Sequence, residues 1–146
     1  MYNFSSVLGF LQRVDACFPT PLSQKQDLAT YARKLCEKAT VCVELAEGEI
    51  VAMVAGYTDN LVDDKAYISI VATLPEAQGK GIASRLVESF IHRAAEKGVS
   101  AVHLYAVPSN IPAMRMYEKL GFVPFAVDGE LRPGDAHLIY YIKKEQ

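Results

Sequence analysis

Apolar residues along the chain recur in two rhythms: every third or fourth position in some segments, alternating or continuous in others. Phe4 to Phe18 places Val7, Leu8, Phe10, Leu11, Val14 and Phe18 near helical spacing, which predicts an amphipathic helix stopped by Pro19 and Pro21. Ser23 followed three residues later by Gln26 has the capping-box pattern. It predicts a second helix running to about Lys38, with Leu28, Tyr31, Ala32 and Leu35 inward. Strands follow: Thr40 to Ala46 and Glu49 to Tyr57 flank the hairpin signal Glu47-Gly48, and Ala66 to Thr73 is a third. After a loop from Pro75 to Gln78, a long helix is expected from Gly79 to Lys97. It has apolar stripes Ile82, Leu86, Phe90, Ala94 and Ala83, Val87, Ile91, Ala95, a charged outer face, and Gly98 as its stop. Ala101 to Val107 is the next strand, Ile111 to Leu120 a shorter helix ended by Gly121, and Phe122 to Val127 and Ala136 to Lys143 the closing strands.

Parallel strands joined through a helix form a right-handed crossover, and the closing strands are expected to be antiparallel. The fold class is therefore α/β, with a central mixed sheet and helices on both faces. The length, 146 residues, suits a single domain over residues 1–146.

Composition narrows the function classes. Apolar residues make up 51% and charged residues 22%, as in ordinary globular proteins. With a net charge of −2 and no basic run, no nucleic-acid partner is expected. No apolar run reaches the ~18 residues of a membrane span, and the N-terminus lacks a signal-peptide layout, so no membrane partner is expected. Cys17, Cys36 and Cys42 cannot all pair and form no C-x-x-C; they read as free thiols in a reducing cytoplasm. No metal site is expected.

Two motifs carry chemistry. The first, Gln78-Gly79-Lys80-Gly81-Ile82-Ala83, opens the long helix. Its glycines leave room for close backbone approach, and the first N–H groups of a helix lack internal partners. Together with the positive end of the helix dipole they suit a phosphate or pyrophosphate, with Lys80 adding a charge. The alternative is a tight loop-to-helix turn and nothing more. A Walker A loop does not fit, because Leu74 stands where its first glycine belongs and Gly81 follows Lys80. A dinucleotide fingerprint does not fit either, because Ser84 takes the last glycine place. The second motif runs from Asn110 through Ala113 and Tyr117 to Leu120-Gly121-Phe122.

The first motif resembles the Gln/Arg-x-x-Gly-x-Gly/Ala signature of GNAT-type N-acetyltransferases, and the second resembles that family's Asn-x-x-Ala-x-x-x-Tyr-x-x-x-Gly-Phe ending. Ile68 to Pro75 looks like its central strand and the proline after it; the resemblance covers roughly Glu44 to Val127. It implies the GNAT fold and acetyl-CoA as cosubstrate. Gly79, Lys80, Gly81, Ile82, Ala83 and Ser84, with Gln78, would wrap the pyrophosphate. Val71, Ala72 and Thr73 would offer main-chain groups to the pantetheine arm, in a wedge where the third strand splays from the fourth. Asn110 would bond near the pantetheine or simply cap its helix. Arg115 or Lys119 would meet the 3′-phosphate, or form a solvated helix face.

The implied reaction is acyl transfer from a thioester to a primary amine of a small molecule or a protein, in a ternary complex. Tyr117 is the expected proton donor to the sulfur, against the alternative of an ordinary buried tyrosine. A backbone N–H at Val71 to Thr73 would polarise the thioester oxygen. The general base is unassigned. The family's usual carboxylate places are held here by Tyr67 and Tyr105, poor bases near pH 7. His103 shares a strand face with Tyr105 and is a weaker candidate. Asp59, Asp63, Asp64 and Glu76 sit in loops where they can bind a cationic amine or be solvated. The acceptor side would be built around Phe18 to Leu22, Tyr31, and Tyr57 to Asp64. The family's short first strand is not evident. A non-catalytic acyl-CoA-binding module of the same fold and a nucleotide-phosphate binder are the competing readings. The acceptor, acyl chain length and oligomeric state stay open, a homodimer included.

Overall fold

The computed structural model describes residues 2–18, 21–59, 64–125 and 135–142. Pro19, Asp63, Val127 and Lys143, named above, lie outside them. Helix α1 (Phe4–Val14) starts at Asn3, whose side chain accepts from the Ser6 N–H while the Ser6 hydroxyl receives the Asn3 N–H, a reciprocal cap. Val7, Phe10, Leu11 and Val14 are buried. The helix is shorter than its apolar pattern suggests, because Asp15–Cys17 tighten into a 3₁₀ turn.

The second helix departs from expectation. A four-residue helix α2 (Leu22–Lys25) ends where Gln26 becomes extended, and α3 (Leu28–Lys38) begins afresh. Ser23 caps nothing: its N–H and hydroxyl are both bound to the Asp15 carboxylate, at 2.9 and 2.6 Å. Asp27 caps instead, accepting from the Thr30 N–H and hydroxyl.

Strands β1 (Thr40–Ala46), β2 (Glu49–Tyr57) and β3 (Lys65–Thr73) form an antiparallel meander, with Glu47 and Gly48 turning the first hairpin at φ 52° and 80°. Helix α4 (Ile82–Glu96) leads to β4 (Ala101–Ala106), parallel to β3, and helix α5 (Ile111–Leu120) follows. Strands β5 (Val123–Pro124) and β6 (Ala136–Tyr141) close an antiparallel edge, giving the order β1-β2-β3-β4-β6-β5. Ile50 to Ala55 are all buried, as a strand covered on both faces must be: α1 and α3 lie over one face of β1 and β2, α4 over the other. Among the described residues no strand precedes α1.

Two irregularities position the site. Between β2 and β3 the register slips: Ala55 faces Ile70 and Gly56 faces Ile68, leaving Ser69 as an extra residue on β3. Gly56 makes that bulge fit, since a Cβ there would overlap the Tyr67 carbonyl oxygen and lie 2.8 Å from the Ile68 Cα. On its other edge β3 pairs with β4 only from Lys65↔Ala101 to Tyr67↔His103. Past Tyr67, next to the bulge, the two strands part.

Candidate active site

Where β3 and β4 separate, two clefts open. The first, about 800 Å³, is lined by Val71, Ala72 and Thr73 of β3 and by Gln78, Gly79, Gly81, Ile82, Ala83 and Ser84 at the start of α4. Asn110 and Tyr117 close it from α5. Every residue expected on the donor side except Lys80 therefore gathers here; the Lys80 side chain does not line the cleft. The edge of β3 from Ser69 to Thr73 has no ladder partner toward β4, so its main-chain groups are available to an amide-bearing guest. Gln78 steadies the turn by donating its side-chain N–H to the Thr73 carbonyl at 3.1 Å.

The long helix starts later than its pattern suggests. Gly79 and Gly81 sit at φ 79° and 74°, left-handed conformations that glycine adopts without strain, and Gly81 is the N-cap. It carries no capping side chain, so the N–H groups of Ile82, Ala83 and Ser84 face the cleft uncapped. That is an anion-binding arrangement of amides and helix dipole.

Helix α5 supplies the opposite wall. Asn110 does cap it, accepting from the Ala113 N–H at 3.4 Å. Arg115 and Lys119 also line the first cleft. So do Val14, Cys17 and Phe18, brought from the end of α1; Cys17 is exposed and remote in sequence from both motifs. No local signal places those three beside the glycines, because only α1 crossing the sheet brings them there.

A second cleft, about 500 Å³, lies on the other side of the same opening. Leu22, Lys25, Gln26, Tyr31, Ser69, Tyr105 and Asp135 line it, and Phe18, Val71, Asn110, Ala113 and Tyr117 are common to both clefts. Tyr117 thus stands at their junction. Its side chain is 5% exposed, and burial pushes its phenol up to about 12, so it stays protonated. Its hydroxyl has no hydrogen-bond partner among the described residues.

The candidate bases fare unevenly. Tyr67, His103, Tyr105 and His137 form one ring cluster: His103 Nδ1 lies 2.9 Å from His137 Nε2, and Tyr105 stacks on His137 at 4.4 Å between centroids. Burial, then the charges of His137 and Lys65, lower His103 to about 4, which leaves it neutral and weakly basic near pH 7. Asp59 is paired with Lys97 at 3.1 Å, and the Asp64 carbonyl accepts from Ser100. Neither these nor Glu76 lines the second cleft; Asp135 does, and the sequence offered no cue to it.

The profile of the Acetyltransferase (GNAT) family matches residues 9–122. The chain belongs to the acetyltransferase (GNAT) family. Among relatives of this GNAT chain, a mycothiol acetyltransferase from Thermomonospora curvata is 43% identical over 61 residues, covering 42% of the chain and 20% of that protein. An L-2,4-diaminobutyric acid acetyltransferase from Chromohalobacter salexigens is 31% identical over 115 residues, covering 77% of the chain and 58% of that protein. The GNAT chain therefore spans between a fifth and three fifths of these relatives' lengths. The structure of yncA from Salmonella typhimurium with acetyl-CoA superposes with a TM-score of 0.73 at 17% identity, covering 99% of this chain and 93% of that one, a likeness of fold. Among the described residues no helix is long and apolar enough to cross a membrane, and no group of three or more His, Cys, Asp or Glu is placed to hold a metal.

Proposed function

We propose that residues 1–146 are one catalytic domain, an N-acetyltransferase that moves the acetyl group of acetyl-CoA to a primary amine by direct attack in a ternary complex. The observation that carries this is the parting of β3 and β4 after Tyr67↔His103, which opens two clefts sharing Tyr117. A donor in one and an amine in the other meet at that residue.

The donor side fits the cosubstrate. Uncapped amides of Ile82, Ala83 and Ser84, with Gly79 and Gly81, hold the pyrophosphate, and the unpaired edge at Val71 to Thr73 takes the pantetheine amides. An N–H on that edge polarises the thioester oxygen. Arg115 and Lys119 supply cations on the same wall. Attack forms the N–C bond and breaks the C–S bond; nitrogen loses one proton and sulfur gains one. A phenol held near 12 is a weaker acid than a thiol, whose ordinary value is about 8.5. Tyr117 therefore steadies the departing sulfur chiefly as a hydrogen-bond donor. With Tyr67 and His103 bound up in the ring cluster, the amine reaches the junction already uncharged or sheds its proton to water. The relatives' names, mycothiol and L-2,4-diaminobutyric acid acetyltransferase, favour a small-molecule acceptor. Three free thiols suit work in the cytoplasm.

The test is thiol release over an amine panel, with calorimetry for acetyl-CoA, CoA and ATP. Tyr117→Phe is expected to lower kcat roughly 10²-fold while acetyl-CoA affinity changes less than about twofold. Equal loss of both would remove Tyr117 from the chemistry. Binding of acetyl-CoA without turnover of any amine would favour the non-catalytic module.

A further inference from the structure

The second cleft contains two charged side chains of opposite sign, and neither is used. Lys25 projects from α2, and Asp135 immediately precedes β6. Among the described residues neither makes a hydrogen bond or an ion pair, with each other or with anything else. The remaining polar lining is neutral: Gln26, Asn110, Tyr105, Tyr117, and the Tyr31 hydroxyl bonded to Ser69 Oγ at 2.6 Å. A cation and a carboxylate left unpaired in one cleft, beside the proposed reaction centre, offer complementary places for a ligand bearing both signs.

We infer that the acceptor is a small diamino carboxylate: its carboxylate goes to Lys25, one ammonium goes to Asp135, and its second nitrogen is acetylated. This rests on the acetyltransferase reading above. The requirement for two nitrogens comes from charge balance. The attacking amine must carry a lone pair and so be uncharged at attack, and it cannot also be the cation that satisfies Asp135. A monoamino acid leaves Asp135 unpaired, and a diamine without a carboxylate leaves Lys25 unpaired.

The experiment measures kcat/KM with acetyl-CoA for diamino acids of increasing chain length (2,4-diaminobutyrate, ornithine, lysine), for 1,4-diaminobutane, for 2-aminobutyrate, and for an unstructured peptide with a free N-terminus. At least one diamino acid is expected to exceed both truncated analogues by about tenfold or more, in line with charge-assisted contacts. Lys25→Ala should raise KM about five- to tenfold for the diamino acid and leave 1,4-diaminobutane unchanged. Asp135→Asn should do the same for the diamino acid and leave 2-aminobutyrate unchanged. Acetyl-CoA affinity by calorimetry should be the same in both variants, showing that they fold. Equal use of either truncated analogue, preference for the peptide, or KM effects that ignore which charge the substrate carries would each overturn the inference. Acetyl-CoA binding with no turnover of the panel would also overturn it while leaving the donor cleft intact. Failure to bind acetyl-CoA would instead strike the enzyme reading itself.

Discussion

Gly81 offers a way to separate what the donor cleft needs for folding from what it needs for binding. Its φ is 74°, and a Cβ built there meets nothing within 4 Å. A side chain therefore costs the folded protein only left-handed backbone strain, about 1 kcal/mol for alanine and less for asparagine, which tolerates that region. At this chain length that is a loss of roughly 3 °C in Tm. The open space around the same Cβ is the cleft, beside the uncapped amides of α4. On the proposed reading, a methyl group intrudes where a phosphate oxygen approaches backbone. A carboxylate adds repulsion: at about 5 Å and an effective dielectric near 20, two unit charges interact by about 3 kcal/mol, or roughly a hundredfold in Kd. Gly81→Ala, Gly81→Asn and Gly81→Glu should then rank differently in two assays. Urea denaturation should order them Asn above Ala and Glu, all within about 1 kcal/mol of the parent. Calorimetry with acetyl-CoA should show a modest weakening for Ala and Asn and near abolition for Glu. Salt should lessen the Glu effect, since screening weakens charge repulsion. A folded Gly81→Glu protein with unchanged acetyl-CoA affinity would refute the pyrophosphate cradle.

Two further outcomes test the scaffold. Because His103 is lowered to about 4 from 6.5, the native state favours its neutral form, and that stability is present above about 6.5 and lost as pH falls toward 4. Urea denaturation at pH 7 and 4.5 should show a loss of about 2 kcal/mol that His103→Gln reduces, and an identical acid slope in the variant would discard the assignment. Gly56→Ala should destabilise by about 1–3 kcal/mol or more, since the new methyl meets the backbone of Tyr67 and Ile68 and, at 2.9 Å, the Phe90 ring; a Tm within 1 °C of the parent would contradict that packing.

Strands β1 to β4 and helix α5 are legible in the sequence because their signals are local: β-branched runs, a Glu-Gly hairpin, an Asn ahead of a proline and a Gly at the end. The second helix is not, because two local signals compete there. Ser23 and Asp27 are both acceptable caps in sequence, and in the fold Ser23 lies inside the separate short helix α2, donating to Asp15, while Asp27 caps α3. The donor cleft is legible as a set of residues but not as a shape. It opens where β3–β4 pairing ceases, next to the surplus Ser69 of the β2–β3 ladder, both relations between strands. Cys17, Lys25 and Asp135 arrive by tertiary packing alone. Of the carboxylates that the sequence suggests by nearness along the chain, Asp59 is paired with Lys97, and Asp64 contributes its backbone carbonyl, not its carboxylate, to a bond with Ser100.

The geometry also explains why Leu120-Gly121-Phe122 accompanies the tyrosine. Gly121 turns the chain at the end of α5, and the N–H groups of Gly121 and Phe122 both donate to the Tyr117 carbonyl, at 3.2 and 2.9 Å. The Phe122 ring then packs edge-on against Tyr117 at 5.6 Å and against Tyr140 at 5.6 Å, tying α5 to β6. Tyr117 is therefore fixed through its backbone and its ring face, and not through its hydroxyl. An unpaired hydroxyl alone does not set Tyr117 apart, since the buried Tyr57 hydroxyl also lacks a partner among the described residues; its place at both clefts does. Here the ring is buried, the hydroxyl bonds to none of the described residues, and Tyr117 lines both clefts beside the unpaired edge of β3. On the proposed reading, the glycine motif anchors the donor and the Gly-Phe turn sets Tyr117 near its sulfur. The bulge at Ser69 lies between them, on the stretch of β3 where pairing with β4 has ended.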